Sequence, residues 1–214
     1  GIPVLYGVDA IHGVTYTQGS TLFPHNIGLA ASRDLSLVKR ATKATALELR
    51  ATGVRWNFDP VLDAGRNPLW SRFEETFGED VFLTSEMGVT MVQAYEEDGL
   101  ENINAVASCM KHFVGYSDPA NGKDRTPAYI PDIELWEHYI PQFKAAIEAG
   151  SSTIMINSAS LNGIPVHANK YLLTDVLRKQ FGFKGLILSD WEDVIRLHTR
   201  HNIAETPEEA VRLA

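Results

Sequence analysis

The stretch Thr153-Ile154-Met155-Ile156-Asn157-Ser158, a helical pattern over 171–181, and then Leu186-Ile187-Leu188-Ser189-Asp190 together decide the fold. Two short apolar runs each end on polar residues, and a helix lies between them. Runs that are apolar at every position suit strands buried on both faces. A helical crossover between two such strands makes them parallel members of a covered sheet. The same unit recurs toward the N-terminus. Residues 4–8 are strand-like and stop at Asp9, 54–61 form a second run ended by Pro60 and its loop, and 106–113 form a third. Between them Leu35, Val38, Leu47 and Ala51 fall at helical spacing, with Gly53 where a C-cap belongs. Met87, Met91 and Tyr95 mark another helix that stops near Gly99, and 135–149 a further one that ends at Gly150.

Five strands alternating with helices leave two closed options, a (β/α)8 barrel or an open doubly wound sheet. No G-x-G-x-x-G opens a helix after any strand, which weakens the dinucleotide-binding form of the second. The expected fold class is therefore α/β, a TIM barrel that is incomplete because about five of eight strands are present. Thr206-Pro207-Glu208-Glu209 carries a capping-box pair with proline at the first helical position, yet the chain ends at Ala214. The expectation is that residues 1–214 are a piece of a longer protein.

Composition narrows the function. The 214 residues are 44% hydrophobic and 21% charged, which places the chain among folded globular domains. A formal charge of −8 gives a surface that repels phosphates, so nucleic acid is not an expected partner. The single cysteine, Cys109, excludes a disulfide within the chain. No apolar run reaches membrane-spanning length. The segment from Gly1 to Leu5 lacks a basic start followed by a long apolar stretch, so no export signal is expected in these residues.

In barrels, chemistry sits at the C-terminal ends of strands. Those positions here carry Asp9, Asp59, Lys111-His112, Asn157-Ser158 and Asp190. Each has an ordinary alternative as a cap or turn residue, but their recurrence at successive strand ends points to a site. Lys111 interrupts an apolar strand. An unpaired buried ammonium costs several kcal/mol, so it needs an acceptor or a polar cavity. A structural Lys–Asp pair, a substrate contact and a Schiff-base lysine all remain open on this evidence. His12 and His112 have no partner at metal-ligand spacing, and 198–201 reads as a solvated turn, so no metal or other cofactor is expected. In Ser189-Asp190-Trp191 an aspartate leaves a hydrophobic strand beside an indole of exposed type. A ring of that kind lies well against the apolar face of a sugar, and a carboxylate can attack its anomeric carbon.

These segments together resemble the catalytic barrel of glycoside hydrolase family 3, of the β-glucosidase type. The resemblance runs through 7–13, Thr21-Leu22-Phe23-Pro24, Asn67-Pro68-Leu69-Trp70-Ser71-Arg72, 75–80, Lys111-His112-Phe113 and Ser189-Asp190-Trp191. It implies that Asp190 is the nucleophile of a retaining exo-acting enzyme. It implies further that Asp9, Arg72, Lys111 and His112 hold hydroxyls of the sugar being cleaved, with Trp191 and Met155 lining that subsite and Arg196 at a more variable position. Arg72 and Lys111 are expected to keep Asp190 ionised. The substrate it implies is an oligosaccharide or β-glucoside, with a periplasmic or extracellular location.

The sequence departs from the family pattern in places. Ser158 stands where many members have a tyrosine that bonds the nucleophile, so that support must come from elsewhere or be absent. The loop after Lys111-His112-Phe113 lacks the histidine of the N-acetylglucosaminidase branch, which favours the glucosidase or xylosidase branches. The acid/base is expected to be a glutamate in a C-terminal α/β domain outside this chain; Glu75, Glu79, Glu192 and Asp193 are not assigned that role. Residues 1–214 alone are accordingly expected to hydrolyse aryl β-glucosides poorly. Two rival readings are a lysine-dependent aldolase using Lys111 and a non-catalytic sugar-binding barrel.

Overall fold

The computed structural model describes residues 4–214; Gly1, Ile2 and Pro3, read above for a missing export signal, lie outside them. Five parallel strands form one curved sheet in the order β1 (Gly7–Val8), β2 (Trp56–Asn57), β3 (Ala107–Phe113), β4 (Thr153–Ile156) and β7 (Leu186–Leu188). Each pairs with the next in chain order, so the sheet is a half-barrel. A short hairpin, β5 (Ser160–Leu161) and β6 (Ile164–Pro165), lies apart from it.

The first two strands are shorter than their apolar runs suggest. Past Asn57 the chain still follows β3: Cys109 N–H donates to the Asp59 carbonyl, Lys111 N–H to that of Pro60, and Leu62 N–H to that of Lys111. Pro60 has no N–H to return, and the ladder thins to a single bridge between Val61 and Lys111.

Helices cover the convex face. Helix α1 (Asn26–Ser32), absent from the sequence reading, precedes α2 (Leu35–Ala51), and α3 (Val81–Tyr95) follows β2. Asp34 caps α2 by accepting from the backbone N–H groups of Ser36 and Leu37, and Asp80 caps α3 by accepting from that of Leu83. After β3 come a single turn α4 (Asp132–Glu134), a wider π-wound segment Leu135–Tyr139, and α5 (Pro141–Glu148). A proline at the start of α5 breaks what the sequence suggests is one helix over 135–149. The π-wound Tyr171–Gln180 crosses from β4 to β7, and α6 (Asp193–Thr199) and α7 (Pro207–Leu213) close the chain.

At α7 the Thr206 hydroxyl accepts from Glu209 N–H, while the Glu209 carboxylate reaches Glu205 N–H, one residue earlier than a strict capping box. His198 lies within α6 and is half-buried, with Nδ1 against the Ala204 carbonyl at 2.9 Å. This corrects the expected solvated turn over 198–201. The contact it makes seats the segment that follows α6.

Two apolar layers hold the sheet. Met110, Phe113, Ile154 and Ile156 face the helices with Leu49, Met87, Met91, Phe143 and Leu177. Trp56, Ala107, Cys109 and Met155 pack with Phe58 and Leu188 on the concave face, where the Trp56 indole N–H donates to Thr153 Oγ1 across β3 at 2.9 Å.

Candidate active site

A cavity of about 830 Å³ opens at the C-terminal ends of the strands. Asp9, Arg72, Lys111, His112, Met155, Asp190 and Trp191, all named from the sequence, line it together. Arg196 does not. Its guanidinium is held beside the cavity by Asp193 at 2.9 Å and faces Glu192 at 4.0 Å.

Adjacent residues of a regular strand point to opposite faces, yet Lys111 and His112 both reach the cavity. The β3–β4 ladder explains this. Met110 pairs with Ile154 and Phe113 with Ile156, so β3 spends one extra residue there. That bulge lets consecutive side chains share a side. The Lys111 side chain is 2% exposed and its Nζ donates to Asp9 Oδ1 at 2.5 Å, which supplies the acceptor its burial demands. Lys111 therefore acts as the partner of Asp9 and not as a lone amine.

His112 is equally enclosed. Its Nδ1 meets Asp63 Oδ2 at 2.7 Å, and the same oxygen accepts from its backbone N–H at 3.1 Å. Its Nε2 faces Asp190 Oδ2 at 3.8 Å. Burial pushes Asp63 up to about 8, against Arg72 and the His112 backbone N–H. Burial, with help from Arg72, Lys111 and Arg125, holds the imidazole well below its usual range. Both shifts favour the uncharged form of each partner. Asp63 was not legible as a site residue because it falls in the loop past the 54–61 run.

Arg72, two residues after Trp70, immediately precedes the turn Phe73–Glu75. Its Nε and Nη2 bind the two oxygens of Glu75 at 3.0 and 2.8 Å, and the guanidinium stacks 5.8 Å from the Trp70 ring and 5.7 Å from Tyr116. Burial opposes its charge, but Glu75 dominates and raises the guanidinium further above its already high range. Asp59 lies deeper, accepting from Tyr95 Oη at 2.8 Å. Burial raises it to about 7 despite that bond and the nearby Lys111.

Asp190 leaves β7 with both oxygens engaged. Oδ1 accepts from Trp191 N–H at 2.5 Å and Oδ2 from Ser158 Oγ at 2.9 Å. Arg125 Nη2 lies 3.4 and 3.5 Å from the two oxygens, and its Nη1 donates to Ser158 Oγ at 2.6 Å. Burial alone would raise Asp190, but the Trp191 N–H, Arg125, Ser158 and Arg72 outweigh it and hold the carboxyl below its ordinary value. Arg125, like Asp63, is a site residue that sequence reading misses. The only signal for it was the long loop after β3, since loops of that length without regular structure tend to be functional. Ser158, which seemed to remove support from the carboxylate, supplies it with Arg125. Lys111 is engaged by Asp9, and Arg125 takes the part expected of it. Beyond the carboxylate the Trp191 indole stands 71% exposed at the rim.

A tethered carboxylate, cationic neighbours and a rim indole thus meet at the strand ends of a parallel half-barrel, the place where barrel enzymes carry their chemistry. Residues 1–214 match the model of the glycosyl hydrolase family 3 N-terminal domain, and the chain belongs to that family. It is 44% identical to a lysosomal β-glucosidase of Dictyostelium discoideum, over 98% of this chain and 26% of that protein. It is 37% identical to a periplasmic β-glucosidase of Salmonella typhimurium and 38% identical to a β-xylosidase of Formosa agariphila, over all of this chain and 27% and 31% of those proteins. Among solved structures, a β-glucosidase from Erythrobacter marinus superposes with a TM-score of 0.96 at 35% identity, covering 100% of this chain and 28% of that one. The chain thus spans between a quarter and a third of these relatives.

Proposed function

We propose that this domain carries the nucleophile of a retaining exo-β-glucosidase that removes terminal β-D-glucosyl residues from oligosaccharides. The observation that carries the reading is the Asp190 carboxylate, held ionised at the floor of a cavity with Arg72, the Lys111–Asp9 pair and His112 around it. Arg72 and Lys111 are donors for vicinal hydroxyls, Asp9 is an acceptor, and Met155 and Trp191 offer apolar surface to the sugar ring. In the first step an Asp190 oxygen bonds to the anomeric carbon as the bond to the aglycone oxygen breaks, and that oxygen takes a proton from a general acid. In the second, water activated by the same group releases the sugar, with the two carboxyls about 5–5.5 Å apart.

The other carboxylates at the cavity favour a general acid from outside this chain. Asp9 is paired with Lys111, Glu75 with Arg72, and Asp124 accepts from the Trp70 indole at 3.0 Å. Glu192 is exposed at the rim. A glutamate from a following C-terminal domain fits this pattern, and residues 1–214 alone would turn over slowly. The Lys111–Asp9 pair speaks against a Schiff-base aldolase, because an ion-paired ammonium is a poor nucleophile. The xylosidase among the relatives keeps β-xylosides as the second substrate reading. A periplasmic or extracellular site of action accompanies the proposal, in keeping with the Salmonella relative.

The test is the full-length enzyme treated with an activated 2-fluoro-glucoside, followed by peptide mapping, beside a panel of nitrophenyl glycosides. A glucosyl adduct on Asp190 and preference for the β-glucoside are expected. Labelling at another residue would overturn the assignment.

A further inference from the structure

We infer that Arg125 is a positioning residue for Asp190, orienting its carboxylate through a one-way hydrogen-bond relay across Ser158. This rests on the reading of Asp190 as nucleophile and adds to it a residue from a different loop.

The direction of the relay follows from donor chemistry. A guanidinium has N–H groups and no acceptor. At 2.6 Å the Ser158 hydroxyl must therefore accept from Arg125 Nη1, which leaves its own proton for Asp190 Oδ2 at 2.9 Å. A serine alone could turn that proton elsewhere. Under Arg125 it is committed to the carboxylate, and the second arm of the guanidinium faces both carboxylate oxygens directly. The relay fixes Oδ2, Trp191 N–H fixes Oδ1, and the plane of the carboxylate is set before any sugar enters.

Arg125 is itself held from several sides. Its Nη1 lies 3.6 Å from Asp193 Oδ1 on α6, a side chain only 2% exposed, and its Nε lies 3.7 Å from Asp124. Asp193 is tied in turn to Arg196, so positive and negative groups alternate from Asp190 through Arg125 and Asp193 to Arg196. The Arg125 backbone sits at φ +59°, a conformation side-chain-bearing residues seldom adopt. The surrounding loop is clipped in place. Asp124 accepts from Trp70, Thr126 Oγ1 bonds to Asn121 and Lys123, and Ala128 pairs with Pro119 and Leu161. A left-handed backbone at a non-glycine residue persists where the surroundings over-determine it, and such residues gather at functional sites.

The charged and titratable groups facing Asp190 come from several elements: Arg72 after β2, His112 on β3, Arg125 in the loop beyond and His167 after the β5–β6 hairpin, while Asp193 on α6 faces Arg125 behind it. Arg125 is the cation nearest the carboxylate, so its removal should be felt in the protonation of Asp190 as well as in its orientation.

The experiment uses the full-length enzyme and an activated dinitrophenyl 2-fluoro-glucoside, whose leaving group departs without protonation. The acid limb of its pH–labelling profile then reports the nucleophile alone. Arg125→Gln is expected to slow labelling about 10- to 100-fold and to move the acid limb up by about one pH unit. Arg125→Lys, which keeps the charge without the fork, is expected to restore the limb but only part of the rate. Ser158→Ala is expected to move the limb in the same direction as Arg125→Gln but by less, and to add little when combined with it. An acid limb unmoved in both Arg125→Gln and Ser158→Ala, with label still on Asp190, overturns the proposal. If Arg125→Gln fails to fold, unchanged rate and limb in Arg125→Lys and Ser158→Ala overturn it equally. Label on another residue in the unsubstituted enzyme refutes the nucleophile reading instead, and the two failures are distinguishable.

Discussion

Replacing Glu75 with glutamine tests whether Arg72 is held for substrate by its ion pair or by its stacking alone. In the unsubstituted protein two charge-assisted bonds of 3.0 and 2.8 Å run between the side chains, which are 20% and 14% exposed. Glutamine keeps one acceptor oxygen and turns an NH2 toward the guanidinium, so one bond is lost and the other becomes charge-to-neutral. Bonds to charged groups contribute about 1.5–3 kcal/mol, and the residual exposure favours the lower part of that range, about 2 kcal/mol. If Arg72 meets the sugar from that position, the loss corresponds to a drop of about 30-fold in kcat/KM. Because the arginine would engage ground state and transition state alike, the drop is expected mainly in KM. Initial rates on a nitrophenyl β-glucoside with the full-length enzyme measure both parameters, and a thermal melt checks folding. The opposing effect is the contact of Arg72 with the Trp70 and Tyr116 rings, which pack edge-to-face against each other beside it and which glutamine leaves in place. A change below about 3-fold in a normally folded variant would mean that stacking alone orients Arg72, and the ion-pair argument would be wrong.

Asp59→Asn should alter how stability depends on pH. The carboxyl, ordinarily near 3.8, titrates at about 7 in the folded chain, so the folded state binds the extra proton between those values. Its contribution to stability is full below the lower value and is lost as pH rises through the upper one. The gap corresponds to on the order of 4 kcal/mol by pH 8, and asparagine, which cannot ionise, should remove that loss. Denaturant midpoints of the full-length enzyme should diverge in favour of the variant as pH rises from about 4 to 7 and run parallel above that; curves parallel across that window would refute the argument. Gly185→Ala should destabilise by about 1–3 kcal/mol and lower activity too, because a Cβ there would fall 2.1 Å from the Ser152 carbonyl and push the start of β7 away from β4. An unchanged denaturation midpoint would show that the contact relaxes freely.

Much of the sheet was legible because strands buried on both faces leave continuous apolar runs, and all five were found in their order. What the runs conceal is where pairing stops, as at Pro60, whose missing N–H acts only in the context of β3. The hairpin at Ser160–Pro165 was overlooked although its turn, Asn162-Gly163, is the strongest short hairpin signal there is. Both residues take positive φ, and the Asn162 side chain clamps both backbone groups of Ile130. Seven of the eight site residues named from the sequence meet at one cavity, because strand ends converge in a parallel half-barrel. The eighth, Arg196, is one turn along α6 and pairs with Asp193. Arg125 and Asp63 escaped notice for a common reason. Their partners, Asp190 and His112, lie 65 and 49 residues away, and a lone charge in a loop carries no mark of what it will face.

The rim indole has an optical consequence. The chain has four tryptophans; Trp56 and Trp70 are buried, Trp136 is half-buried, and Trp191 stands 71% exposed. Within this domain, a water-soluble quencher such as iodide should therefore reach chiefly the red-shifted emission of Trp191. A sugar that covers its ring would shield the same fluorophore, so occupancy of the cavity can be titrated by light even in a variant that turns nothing over.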